Sequence, residues 1–241
     1  MTFHSPLKVR KVAVLGAGVM GAQIAAHLVN ANVEVMLFEL PAKEGDPNDI
    51  VRKSVDGLKK LEPSPLSVPG RAEYIQYANY DQHLGLLKDC DIVIEAISER
   101  MDWKKALYEK VAPHLGENTI FASNTSGLSI NTLSEAMPEQ HRSRFCGVHF
   151  FNPPRYMHLV ELITSRATEP AILDQLEDFL VTALGKGVIR AKDTPNFIAN
   201  RVGVFSILAT FHHTRQFGLG FDEVDALTGD SSSAVPTFAV N

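Results

Sequence analysis

Val12-Ala13-Val14-Leu15-Gly16-Ala17-Gly18-Val19-Met20-Gly21 begins as an apolar run, breaks into three glycines and continues in a helical pattern. The stretch reads as a strand, a tight turn and a helix start. Gly16 permits the sharp turn, Gly18 has no Cβ and lets backbone N–H groups approach a pyrophosphate, and Gly21 lets the helix lie close to the sheet. Phosphate would rest on the helix's positive end, with Gly16, Gly18, Val19, Met20 and Gly21 around it. A glycine pattern alone also fits an ordinary turn, so its surroundings matter. Helical spacing over 22–30 is followed by a second apolar run, Val33-Glu34-Val35-Met36-Leu37-Phe38, which ends at Glu39. That acid lies eighteen residues past Gly21, close to the spacing of a carboxylate that accepts hydrogen bonds from an adenosine ribose. Its charge would repel a 2′-phosphate, so NAD is expected over NADP. The plain alternative is a solvated acid at a strand end.

The bulk properties fit a globular protein. Its 241 residues can bury a sizeable core as one large domain, or as one domain and part of another. A net charge of −5 leaves no basic footprint for nucleic acid. Cys90 and Cys146 are too few for a disulfide framework or a zinc cluster, which suits a reducing compartment. No leader pattern occupies residues 1–10, and no apolar run approaches the roughly 18 residues of a membrane span. A soluble, cytoplasmic protein is the expectation.

Further along, 49–61 has helical spacing until prolines 63, 65 and 69 stop it, a surface excursion from the sheet. A short strand is expected at 75–78 and better ones at 91–96 and 119–122, with a helix over 102–115 between the last two. Strands alternating with helices imply an α/β fold, a doubly wound, mostly parallel sheet. Ligands of such sheets lie outside the strands' carboxyl ends. Glu99 and Lys104 follow one of these ends, and Ser123-Asn124-Thr125-Ser126-Gly127 follows the next. That polar run is either turn and cap chemistry or a place where a hydroxyl meets a substrate oxygen.

Two extended segments, 144–151 and 159–163, flank a proline-rich turn and can pair as neighbours, which brings His149 to Glu161. A neutral imidazole can take a proton from a substrate hydroxyl, while a carboxylate on its other nitrogen fixes the tautomer and stabilises the imidazolium. The competing reading is a satisfied core histidine among phenylalanines.

The chain resembles the L-3-hydroxyacyl-CoA dehydrogenase family. The resemblance rests on Gly16-Ala17-Gly18-Val19-Met20-Gly21, Ser123-Asn124-Thr125-Ser126, His149-Phe150-Phe151-Asn152-Pro153 and Asp193-Thr194-Pro195-Asn196-Phe197-Ile198-Ala199-Asn200-Arg201, in the family's order. It implies a Rossmann-like NAD domain with His149 as catalytic base, Glu161 as its orienting partner, and Ser126 and Asn200 holding the reacting oxygen. It further implies Glu39 at the adenosine ribose, Glu99 and Lys104 near the nicotinamide, Asn124 and Asn152 in the cofactor site, and no metal. The implied reaction is oxidation of a 3-hydroxyacyl-CoA to the 3-keto product in fatty-acid oxidation. A Rossmann dehydrogenase of a small hydroxy acid, and an NAD-binding module without turnover, remain as alternatives.

After a helix over 169–184 and a short strand at 188–189, the first domain is expected to close near Lys192. Residues 196–217 then read as one long apolar helix, in which the adjacent His212 and His213 point apart and make no metal site. Family members continue through a helical domain that buries such a helix, often by dimerisation. Here a short helix over 221–227 and a polar stretch from Gly229 precede Asn241. The expectation is therefore domains of 1–192 and 193–241, the second incomplete, in a piece of a longer fatty-acid oxidation protein, multifunctional or not, with a naturally shortened relative as the alternative and a homodimer or further domains as partners.

Overall fold

The structure, a computed structural model, describes residues 8–229. The chain divides into two compact units after Phe197. Expectations that touch residues 1–7, or the polar stretch from residue 230 to Asn241, lie outside the described residues.

In the first unit β1 (Lys11–Leu15), α1 (Val19–Asn30), β2 (Glu34–Glu39), α2 (Asp49–Leu58) and β3 (Ile75–Asn79) form the opening half. Next come β4 (Ile92–Glu95), α3 (Met101–Val111), β5 (Ile120–Ser123), the short α4 (Ile130–Ala136) and α5 (Glu139–Arg142), and β6 (Phe145–Phe150). The unit ends with β7 (Leu159–Thr164), α6 (Pro170–Thr182) and β8 (Gly187–Ala191). The eight strands make one sheet in the order β3-β2-β1-β4-β5-β6-β7-β8. The first six are parallel, β7 runs antiparallel to β6, and β8 is parallel to β7. The order reverses at β1, where adjacent connections leave toward opposite faces and open a crevice at the carboxyl ends.

Near-continuous apolar strands such as Val12-Ala13-Val14-Leu15 are buried on both faces, as parallel strands covered by helices must be. One core layer packs α1, α2 and α6 on the sheet, with Ile24, Leu28 and Leu176 in it. The opposite layer packs α3 and α4, around Tyr108, Phe121 and Phe145. The rings of Phe121 and Phe145 stack with centroids 5.8 Å apart, and Tyr108 meets each edge-on.

The short α4 has no apolar stripe long enough to announce it. Its start is built by Ser129, whose Oγ accepts from Thr132 N, and by Asp193, which accepts from the Ile130 and Asn131 amides and the Ser129 hydroxyl. Three of the four amides at that helix end thus find side-chain partners, two of them on Asp193, more than sixty residues away.

The second unit holds α7 (Ala199–Phe217) and α8 (Phe221–Gly229). The long helix expected over 196–217 begins later than its pattern implies, because Asn196 and Phe197 have φ of 60° and 50°, outside the right-handed helical region. Gly218, in the left-handed conformation, ends α7. Among the described residues no helix is long and apolar enough to cross a membrane, and no cluster of His, Cys, Asp and Glu is fit to hold a metal ion.

Candidate active site

The glycine loop is shaped by close approaches. A Cβ on Gly21 would stand 1.8 Å from the Gly16 carbonyl oxygen, and one on Gly16, at φ +103°, would meet Ala96 O at 2.9 Å. A Cβ on Gly18, by contrast, would meet nothing within 4 Å. The open side of the loop therefore faces outward, at the start of α1, where Gly18 and Val19 are exposed and no side chain caps the helix. Unsatisfied amides and the helix dipole at such an end favour an anion. Glu39 closes the loop from the neighbouring strand, its Oε2 accepting from Ala17 N at 2.8 Å and its Oε1 from Leu40 N at 2.9 Å. Two amides thus hold a carboxylate that keeps further acceptor capacity for a diol. These residues fit a dinucleotide.

Beside Glu39 a cavity of about 400 Å³ opens between the ends of β2 and β4. Its far wall is one face of α3, with Trp103, Ala106, Leu107 and Lys110 at i, i+3, i+4 and i+7. Sequence reading located that helix but did not assign this face a function. The spacing was the available signal.

At the carboxyl end of β4, Glu95 is completely buried and receives four donors. Lys104 Nζ (2.5 Å) and Ile97 N (2.8 Å) reach Oε1, while Tyr108 OH (2.9 Å) and Ser123 Oγ (2.7 Å) reach Oε2. Lys104 is therefore placed differently from the cofactor contact expected of it. Its ammonium is enclosed and spent on Glu95, and a buried carboxylate with so many donors requires that cation. The same ammonium lies 3.6 Å from Glu99 Oε2 and donates to Ile97 O at 3.4 Å.

Glu99 organises the polar run after β5. Its Oε1 accepts from the Thr125 hydroxyl (2.5 Å) and from the amides of Ser126 (2.6 Å) and Gly127 (3.0 Å). Burial pushes the Glu99 carboxyl up, but the Thr125 hydroxyl, the Lys104 charge and the two amides together hold it below the ordinary value. A depressed folded pKa stabilises the fold above the unfolded value near 4.5, and that contribution disappears as the pH falls through the folded value. Replacing Glu99 by Gln should flatten the acid limb of a stability-versus-pH curve below about pH 4.5. An unchanged limb would mean that the carboxylate's charge does not hold the loop.

Asn124 joins strand ends, its amide donating to Glu95 O (2.7 Å) and its Oδ1 accepting from Phe150 N (2.9 Å). Asn152 Oδ1 accepts from Gln23 Nε2 at 3.1 Å, tying the turn after β6 to α1. Ser126 is exposed, and Asn200 lies in the first turn of α7, in the second unit.

His149 and Glu161 stand directly opposite each other in the antiparallel β6–β7 register. Nδ1 lies 2.8 Å from Glu161 Oε2, with His149 3% exposed and Glu161 fully buried. Beside a carboxylate Nδ1 carries the proton, which leaves the Nε2 lone pair as the acceptor. Phe151 and Phe197 pack on the imidazole at centroid distances of 4.4 and 5.8 Å.

Comparison with known proteins identifies the family. Residues 11–194 match the family model of the 3-hydroxyacyl-CoA dehydrogenase NAD-binding domain. A Rickettsia prowazekii protein assigned as the trifunctional enzyme of a fatty acid oxidation complex is 43% identical over 91% of the chain and 31% of its own length. The mitochondrial hydroxyacyl-coenzyme A dehydrogenase of Sus scrofa is 35% identical, over 80% of the chain and 62% of its own length. The crystal structure of (S)-3-hydroxybutyryl-CoA dehydrogenase from Ralstonia eutropha superposes with a TM-score of 0.77 at 30% identity, covering 96% of the chain and 81% of that structure. The chain thus spans from about a third to under two thirds of these two curated relatives. With its doubly wound sheet, glycine cradle and family match, the chain belongs to the 3-hydroxyacyl-CoA dehydrogenase family and carries that family's NAD-binding domain.

Proposed function

We propose that the chain supplies the cofactor site and the acid–base pair of an NAD-dependent 3-hydroxyacyl-CoA dehydrogenase. The observation that carries this reading is the buried His149 Nδ1–Glu161 Oε2 contact of 2.8 Å at the carboxyl end of the sheet. His149 Nε2 takes the proton of the substrate's 3-hydroxyl, and Glu161 stabilises the imidazolium that results. In the reverse direction the same nitrogen returns the proton. Ser126 and Asn200 hold the reacting oxygen, a preorganised electrostatic role. A bound NAD would supply the hydride acceptor for the carbon bearing that hydroxyl. The glycine loop, Val19 and Met20 hold its phosphates, Glu39 takes the adenosine ribose, and Glu99 with Asn124 and Asn152 line the nicotinamide side. Lys104 supports that side through Glu95 and Glu99.

The test is NADH consumption with acetoacetyl-CoA, run beside NADH binding on one sample. Binding with turnover supports the reading. Binding without turnover would reduce the chain to a cofactor module, and turnover on a free hydroxy acid alone would move it to another dehydrogenase class.

We read 193–241 as the start of a helical domain, completed by a second copy in a homodimer or by further domains of a longer protein. Val202, Phe205 and Leu208 on α7 are 59–73% exposed, an apolar surface large enough to need covering. Sedimentation as a monodisperse monomer would overturn that reading.

A further inference from the structure

Phe197 is the last residue of the first unit, and its backbone is unusual. It has a φ of 50°, directly after Asn196 at 60°. In this region a Cβ crowds the following carbonyl oxygen, and a bulky aromatic side chain is a marked outlier there. Such strain persists only where surrounding contacts impose it, and it gathers at functional sites. Those contacts are present along the whole segment. Asp193 ties its start to α4, accepting from Ile130 N at 2.8 Å and from Asn131 N at 2.9 Å. Asn196 lies against the polar run after β5, where a Cβ on Gly127 would stand 3.4 Å from its Oδ1. The Phe197 amide then donates to Thr194 O at 2.9 Å, which closes the turn.

The strap delivers one side chain to the interior. Asn196 and Ile198 are exposed, whereas Phe197 between them is 1% exposed and meets the His149 imidazole at a centroid distance of 5.8 Å, tilted by 59°. Phe151 meets the same imidazole at 4.4 Å. The Nδ1 contact with Glu161 fixes one nitrogen of the ring, but the terminal torsion of a histidine is broad, so one hydrogen bond does not fix its plane. Packed rings do. The plane in turn sets the direction of the Nε2 lone pair, and apolar cover keeps water from the Nδ1 proton.

We propose that Phe197 is a positioning residue for His149, its ring holding the imidazole plane and shielding the Nδ1 proton donated to Glu161. The proposal rests on the acid–base reading above, and its test separates the two. Phe197→Leu keeps an apolar side chain at the same strained position and removes only the flat ring. Turnover of acetoacetyl-CoA, counted per NADH-binding site, should fall roughly ten- to hundredfold, the scale of a reacting group misplaced by about an ångström. NADH affinity and the KM for acetoacetyl-CoA should stay within about twofold of the parent chain, since only orientation in the transition state is lost. In proton NMR spectra the His149 Nδ1 proton, identified by its absence in His149→Gln, should be sharp in the parent chain and broadened by exchange with water in Phe197→Leu. Asn196→Val reaches the same ring without altering it, because a β-branched residue resists a positive φ, and both readouts should move the same way. Unchanged turnover and an unchanged imidazole signal in the two variants would overturn the proposal. Parallel falls in turnover, NADH affinity and melting temperature would also overturn it, leaving Phe197 a core residue only. A parent chain that shows the imidazole proton but no turnover would overturn the acid–base reading, and the NMR comparison would still decide for or against Phe197.

Discussion

Replacing His149 by Gln should lower turnover with acetoacetyl-CoA and NADH by roughly 10²- to 10⁴-fold, the usual contribution of a positioned acid or base. Gln is chosen because its amide can still donate to Glu161 across the β6–β7 pair, so the buried carboxylate keeps a partner. An amide in that place cannot accept and return the proton of the substrate hydroxyl. NADH affinity and melting temperature should stay close to those of the parent chain, because the glycine loop and Glu39, the proposed cofactor site, follow β1 and β2, with β4 and β5 between them and β6. Parallel losses in turnover, NADH affinity and stability would instead make His149 a packing residue between Phe151 and Phe197.

The second large effect lies in the glycine loop and divides two residues three positions apart. At Gly21 an added methyl would stand 1.8 Å from the Gly16 carbonyl oxygen. That atom is backbone in a turn already set by a positive φ, so α1 must move away from the sheet. Overpacking of this kind costs about 3 kcal/mol or more, at the upper end of its usual range. For a chain of this size such a loss lowers the melting temperature by roughly 6–12 °C. Gly18→Ala should behave in the opposite way. With φ −70° and ψ −172° an alanine is unstrained there, and its methyl would meet no protein atom within 4 Å. The methyl would point instead into the space where a pyrophosphate approaches the backbone. Thermal unfolding should be unchanged, and NADH affinity should drop by roughly tenfold or more, about 1.4 kcal/mol. Equal NADH affinity in Gly18→Ala and the parent chain would remove the loop from the phosphate site.

Much of the fold was legible in local pattern. The apolar run before Gly16, the acid eighteen residues past Gly21 and the continuous apolar strands each follow from a chemical constraint that acts over a few residues. The placing of His149 opposite Glu161 follows from two extended segments joined by a short turn, because antiparallel neighbours need no long-range information to find their register.

What the residues alone determined, then, is the doubly wound sheet, its glycine turn and the family. Tertiary structure alone decided which polar groups are consumed inside the protein and which are left for a ligand. Lys104 reads as a group beside the nicotinamide, and only the packed chain shows its ammonium paired with Glu95, to which Tyr108 and Ser123 also donate. α7 begins later than its residue pattern implies because the backbone is left-handed at Asn196 and Phe197, where Phe197 packs on His149. A pattern of residue types encodes period and burial. It does not encode which donor meets which acceptor, since that depends on partners tens of residues away that only the packed chain assembles.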